Sequence, residues 1–198
     1  MASRLYVSIL TLCLAFGLGL AACDSLKPKF SGVNFTGASW GREFRLPDPD
    51  GKERTLAEFH GKLVMVFFGY IQCAVVCPTA LAQAVEARKQ LGPDAGHVQI
   101  LFVTLDPERD TPELVKEYVR AFDPSIIGLR GDMERTREAA KEFRVYFEKV
   151  PSGDSYSIDH TALTYIFDEH GRLRLGMSHM QGVAQYVADI RTLMQPES

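Results

Sequence analysis

Short, nearly uninterrupted apolar runs alternate with amphipathic stretches along most of this chain. Leu63-Val-Met-Val-Phe-Phe68 and Val98-Gln-Ile-Leu-Phe-Val-Thr104 carry the pattern of strands buried on both faces. Between them, Pro78 to Leu91 reads as a helix. Pro78 opens it, Leu81, Ala84 and Val85 share one face, and Gly92 terminates it. A second helix follows Asp110, opened by Thr111-Pro112, with Leu114, Val115, Tyr118, Val119 and Phe122 as its apolar stripe. A third covers about Asp132 to Phe143, and a last amphipathic one runs from about Gln181 to Met194. Two hairpins complete the set. One joins Phe44–Leu46 to Lys52–Leu56 across the breakers of 47–51, and the other joins Ala162–Phe167 to Arg172–Leu175 across Asp168–Gly171. This order predicts an α/β fold: a mixed central sheet with helices on both faces and an N-terminal hairpin.

The first 22 residues follow a different pattern. Arg4 precedes Leu5–Ala22, which holds no charge, and Leu20-Ala-Ala-Cys23 follows. This is the layout of a signal peptide, and its end resembles a bacterial lipobox. Residues 1–22 are therefore expected to be removed and Cys23 to carry lipid. A retained helical anchor is the alternative, since the apolar run is long enough to span. Residues 23–38 show no period and mix Gly, Ser, Pro and Lys, as expected of a lipidated tether, leaving 39–198 for the domain. Asp24 resembles an inner-membrane retention signal, so the expected location is the periplasmic face of the bacterial inner membrane.

Composition narrows the function classes. Of 198 residues, 46% are hydrophobic and 24% charged, with a net charge of −3, so neither a disordered chain nor a multi-span membrane protein is indicated. There is no basic block to serve nucleic acid as a partner. Of the four cysteines, Cys13 lies in the segment to be removed and Cys23 at the lipid site, leaving Cys73 and Cys77. One pair four residues apart makes no disulfide framework and constrains little chain entropy. The pair is read as chemical: a redox disulfide or a metal site.

Cys77 immediately precedes the predicted helix, where backbone N–H groups and the dipole favour a thiolate. Thioredoxin-type sites place two residues between their cysteines. Here there are three, which leaves room for an ion. Among five histidines, His60 and His170 lie beside glycines in turns, His97 follows Gly92, and His179 sits in the soft cluster Met177-Ser-His-Met180. His160, in Ser157-Ile-Asp-His-Thr161, precedes a buried strand; in a thioredoxin-like sheet that loop returns beside the cysteines.

Gly69-Tyr70 with Cys73-x-x-x-Cys77-Pro78, then Asp106-Pro-Glu-Arg-Asp-Thr-Pro112, then Tyr156-Ser-Ile-Asp-His-Thr161 resemble the Sco/SenC family of copper chaperones, over about Phe44 to Met194. The resemblance implies a thioredoxin-like fold and one copper ion, Cu(I) or Cu(II), held by Cys73, Cys77 and His160. It also implies a role in assembling cytochrome c oxidase, with the dinuclear copper site of subunit II as the partner and an unidentified copper donor. Many members carry Pro-Asp in the cysteine loop where this chain has Ala74-Val75, which removes a carboxylate near the sulfurs. Two thiolates and an imidazole are donors suited to copper or zinc, and a structural zinc site prefers four ligands. Asp106 and Asp159 are candidate carboxylates behind the ligands, with turn capping as the other reading. Two functions remain open: a metallochaperone, or a thiol–disulfide oxidoreductase that reduces the oxidase's cysteines. A peroxiredoxin-like reading lacks a Thr/Pro-framed peroxidatic cysteine.

Overall fold

The computed structural model describes residues 28–195. The expected signal peptide and Cys23 lie outside them. Among the described residues no helix is long and apolar enough to cross a membrane.

The sheet is built around β4 (Leu63–Gly69), whose seven residues are all buried. It pairs in parallel with β5 (Val98–Thr104), which pairs in parallel with the short β6 (Ile127–Leu129). On its other side β9 (Leu163–Phe167) runs antiparallel to it, followed by β10 (Leu173–Ser178) and β1 (Val33–Asn34), giving the order β1-β10-β9-β4-β5-β6. The four long runs read from the sequence are these central strands.

Alternation along the strands divides the core into two layers. Val64, Val66, Phe68, Leu101 and Val103 face a cluster with Phe143, Ala139 and Ala140, together with Phe44 and Leu46 of the N-terminal hairpin. Helix α3 (Met133–Glu142) lies on that side, its first turn closed by Asp132, which accepts from the Arg135 N–H at 2.8 Å. The opposite layer takes α1 (Val76–Gln90), α2 (Pro112–Phe122) and α4 (Val183–Leu193). There Tyr118 meets the Phe102 ring at 5.4 Å, and the Tyr186 hydroxyl donates to Thr164 at 3.3 Å. Gly92 ends α1 at φ +64, a backbone region that favours glycine.

Three expectations change. The tether stops short of residue 38. The Ser31 and Gly32 N–H groups donate to buried Asp189 of α4 at 3.0 and 2.8 Å, β1 pairs with β10, and Phe35 stacks on Tyr165. A two-residue strand carries no period, so composition alone made this segment look like linker. The N-terminal hairpin is also shorter than expected: β2 (Leu46–Pro47) pairs with β3 (Glu53–Arg54), and Leu56 instead opens a 3-10 turn to Phe59. Finally, β7 (Phe147–Ser152) and β8 (Ser155–His160) form a separate ribbon where the sequence suggests only a loop before β9. Among its residues only Ile158 is buried, so it lacks the apolar alternation that would mark it.

Candidate metal centre

The loop from β4 to α1 and the last residue of β8 bring three soft donors together. The sulfurs of Cys73 and Cys77 and a ring nitrogen of His160 all lie within 4.8 Å of one another. His160 Nε2 is 3.5 Å from the Cys77 sulfur, and its Nδ1 lies 3.0 Å from the Thr161 carbonyl. A carbonyl accepts only, so Nδ1–H donates to it and Nε2 is the ring nitrogen turned toward the sulfurs. Phe67 and Tyr70 meet the imidazole edge-on at 6.2 and 6.0 Å and restrict its rotation.

Helix geometry differentiates the two cysteines. The helix begins at Val76, so Cys77 lies inside the first turn rather than just before it. No side chain of Val75 caps this end. The Cys77 N–H instead donates to the Cys73 sulfur at 3.3 Å, and Cys73 takes the place of a capping oxygen. The half-buried Cys73 is thus the thiolate: the bond from the Cys77 thiol pulls it down to about 4, with His160 and the Cys77 and Val75 backbone N–H groups adding to the effect against the opposing pull of burial. Cys77 is fully buried, and its thiol is pushed well above the usual range by the Cys73 charge that it hydrogen-bonds and by desolvation. The sequence expectation of a helix opening at Pro78 puts the helix-terminus activation on Cys77; the helix opens two residues earlier, at Val76, and the activation falls on Cys73.

Gly69 and Asp110 explain how the loop is held. A Cβ at Gly69 would come within 2.9 Å of the Cys77 sulfur and 2.8 Å of the Phe67 ring, so only glycine lets β4 run beneath the buried thiol. Gly69→Ala is expected to cost roughly 1–3 kcal/mol through overpacking, read as a lower denaturant midpoint with an unchanged slope. Asp110, buried at 1% exposure, accepts from the Ile71 N–H at 3.2 Å and the Thr104 hydroxyl at 2.5 Å, tying the cysteine loop to the end of β5. Desolvation raises its carboxyl, with these donors opposing. Sequence reasoning missed Asp110, which reads as a residue preceding a helix.

The other candidates lie elsewhere. The buried Asp106 has its two oxygens engaged by Arg109 and by the Tyr156 hydroxyl, the latter at 2.8 Å. Asp159 is exposed on β8, opposite Glu148. His97 is exposed, and His60 and His170 line a cavity of about 900 Å³ with Trp40, Arg45 and Arg135, none of whose lining residues belongs to the cysteine loop or the β7–β8 ribbon. His179 is half-buried, and its backbone carbonyl accepts from Gln83 at 2.9 Å.

The model of the SCO1/SenC family matches residues 34–195. The chain belongs to the SCO1/SenC family. Among relatives, an SCO2-like protein of Rickettsia felis is 33% identical over 67% of this chain and 66% of its own length. The human mitochondrial SCO2 homolog is 32% identical over 77% of this chain and 61% of its own. The chain thus spans less than two thirds of the length of these relatives. Among solved structures, copper-bound ScoI of Bradyrhizobium japonicum superposes with a TM-score of 0.72 at 38% identity, covering 79% of this chain and 100% of that one. Copper-bound yeast Sco1 does so with a TM-score of 0.70 at 34% identity, covering 78% and 87%. The mixed sheet with its helices on both faces is the thioredoxin-like architecture of this family.

Proposed function

We propose that this protein is a copper-binding metallochaperone for cytochrome c oxidase assembly, with Cys73, Cys77 and His160 as the ligands. The observation that carries this reading is the triangle of two sulfurs and one imidazole nitrogen within 4.8 Å. Exchange chemistry between thiols and disulfides has no use for the third corner; a metal site does. Membership of a family whose solved relatives include copper-bound structures selects copper among the soft metals.

The donors fit that cargo. Cys73 is already a thiolate, His160 turns Nε2 toward the sulfurs, and Cys77 gives up its proton to the incoming ion. Three ligands satisfy Cu(I) and leave one side for an acceptor's thiolate to approach. Transfer then proceeds as a succession of ligand exchanges, with the acceptor's donors replacing His160, Cys73 and the buried Cys77 one at a time. We place the acceptor at the dinuclear copper site of oxidase subunit II and the protein on the periplasmic face of the inner membrane, held by lipid on Cys23. Mass spectrometry of the native protein reads the anchor directly: a lipid-bearing N-terminus at Cys23 is expected, and an intact Met1 overturns it.

A second reading, reduction of the acceptor's cysteines, is favoured by the partly accessible Cys73 thiolate beside a protonated partner. Cys73 would attack one sulfur of the acceptor's disulfide, forming a mixed disulfide and releasing the other as thiolate. Cys77, losing its proton, would then attack the Cys73 sulfur, closing a Cys73–Cys77 disulfide and releasing the acceptor's second thiol. Two electrons pass to the acceptor. The test separates the roles by starting with an acceptor that is already reduced. Incubating copper-loaded protein with the reduced soluble domain of subunit II is expected to move copper to that domain. Copper staying on the chaperone, together with rapid reduction of an oxidised acceptor by the apo-protein, would overturn delivery in favour of reduction.

A further inference from the structure

His160 rides on an arm that the central sheet does not hold. Among the described residues β7 and β8 pair only with each other, and β7 is exposed along nearly its whole length. Most of the polar contacts that fasten this ribbon to the body lie on the segment between β5 and α2, with one more between Tyr70 and the Ile158 backbone. The Tyr156 hydroxyl donates to Asp106 at 2.8 Å, and Lys149 pairs with Glu108 at 2.7 Å. Arg109 does the most. Its Nη1 donates to the Tyr156 carbonyl at 2.9 Å and to Ser155 Oγ at 3.1 Å, while the guanidinium lies 3.5 Å over the Tyr156 ring. Its Nε pairs with the second oxygen of Asp106.

The same Nη1 donates to Gln72 Oε1 at 3.0 Å, on the residue preceding Cys73. One guanidinium therefore touches the arm that brings the nitrogen and the loop that brings a sulfur. The pair it forms with Asp106 differs from the surface pair beside it. Asp106 is fully buried and the Arg109 side chain only 17% exposed, whereas Lys149 and Glu108 are 38% and 58% exposed and contribute little. A planar fork that stacks and donates in several directions at once is a task for arginine that lysine cannot reproduce.

We propose that Arg109 is a positioning residue for the metal centre: it clasps the β7–β8 arm to the cysteine loop, and His160 is presented to the two sulfurs only while that clasp is closed. This rests on the reading of Cys73, Cys77 and His160 as ligands. It adds that the third ligand is delivered by a docked arm rather than by the core, and that opening of the clasp withdraws it.

Two readouts test this. The first needs no copper: amide hydrogen exchange of the apo-protein, with Arg109→Met to keep the stem and remove the fork. Exchange in residues 147–160 is expected to speed by about tenfold or more while α1 and β4 keep their protection. The second is a double-mutant cycle on Cu(I) affinity, measured for the reduced protein by competition with a chromophoric chelator. Arg109→Met is expected to weaken binding about 10–100-fold when His160 is present and to have no further effect in a His160→Ala background. Arg109→Lys, which keeps charge and fold, should fall between the two. Unchanged exchange in the arm overturns the proposal, as does an equal loss of affinity in both backgrounds. Failure of the ligand reading looks different: His160→Ala would leave Cu(I) affinity intact, whatever the arm does.

Discussion

His160→Ala should weaken Cu(I) binding by more than 100-fold while leaving the dithiol chemistry in place. The change removes one of three proposed donors outright. Loss of a group that merely supports a ligand costs about 10–100-fold, so loss of the ligand itself should exceed that range, more than about 2.7 kcal/mol of binding free energy. The thiolate on Cys73 rests chiefly on the Cys77 thiol, with His160 a smaller contributor beside the helix-terminal N–H groups. Disulfide exchange by the purified variant should therefore proceed at close to the wild-type rate. The effect should reach the cell as failed oxidase assembly in a strain whose mutant protein still reduces disulfides in vitro. Chelator competition and oxidase activity in the same variant check this, and normal assembly with His160→Ala would reverse the preference for delivery over reduction.

The second large effect concerns oxidation. The two sulfurs are the thiol donors of the proposed site, and they are unbridged here. A Cys73–Cys77 disulfide would occupy both and leave His160 alone, and a single imidazole holds Cu(I) poorly. The oxidised apo-protein should take up no Cu(I) until reductant is added, and the copper-loaded protein should resist oxidation of the pair. Titrating Cu(I) into the oxidised and reduced forms under anaerobic conditions measures this. Tight binding by the fully oxidised protein would remove the sulfurs from the ligand set.

The long apolar runs made the sheet legible because β4, β5 and β9 are buried on both sides, and burial of that kind leaves few polar interruptions, such as Gln99 and Thr164, to misread. Helix boundaries followed from Gly92, Asp110 with Pro112, and Asp132, each of which has a backbone reason to sit at an end; Pro78 lies two residues inside the helix that it was expected to open. The elements that were not legible are those held by partners distant in sequence. β1 depends on β10 and on Asp189 of α4, and the β7–β8 ribbon on Arg109 and its own cross-strand pairing. Neither carries a period of its own.

The site divides the same way. Spacing alone suggested that Cys73 and Cys77 act together, but the meeting with His160, 83 residues beyond Cys77, is a product of the fold. The helix start two residues earlier than expected, at Val76 rather than Pro78, moved the stabilised thiolate from Cys77 to Cys73, a reversal that a two-residue boundary shift is enough to cause. Asp106 and Asp110 look equivalent in the sequence. The structure sends the first to the arm through Tyr156 and the second to the cysteine loop through the Ile71 N–H. No pattern of residue types distinguishes those two errands.

X-ray absorption at the copper edge of the reduced protein, loaded with one equivalent of Cu(I), examines the proposed ligand set most directly. Two sulfur scatterers and one imidazole nitrogen are predicted, with the nitrogen lost in His160→Ala and a sulfur lost in each single Cys→Ser variant. A copper environment that keeps its nitrogen when His160 is replaced, or that contains no sulfur, would contradict the assignment of Cys73, Cys77 and His160 as the copper-binding site.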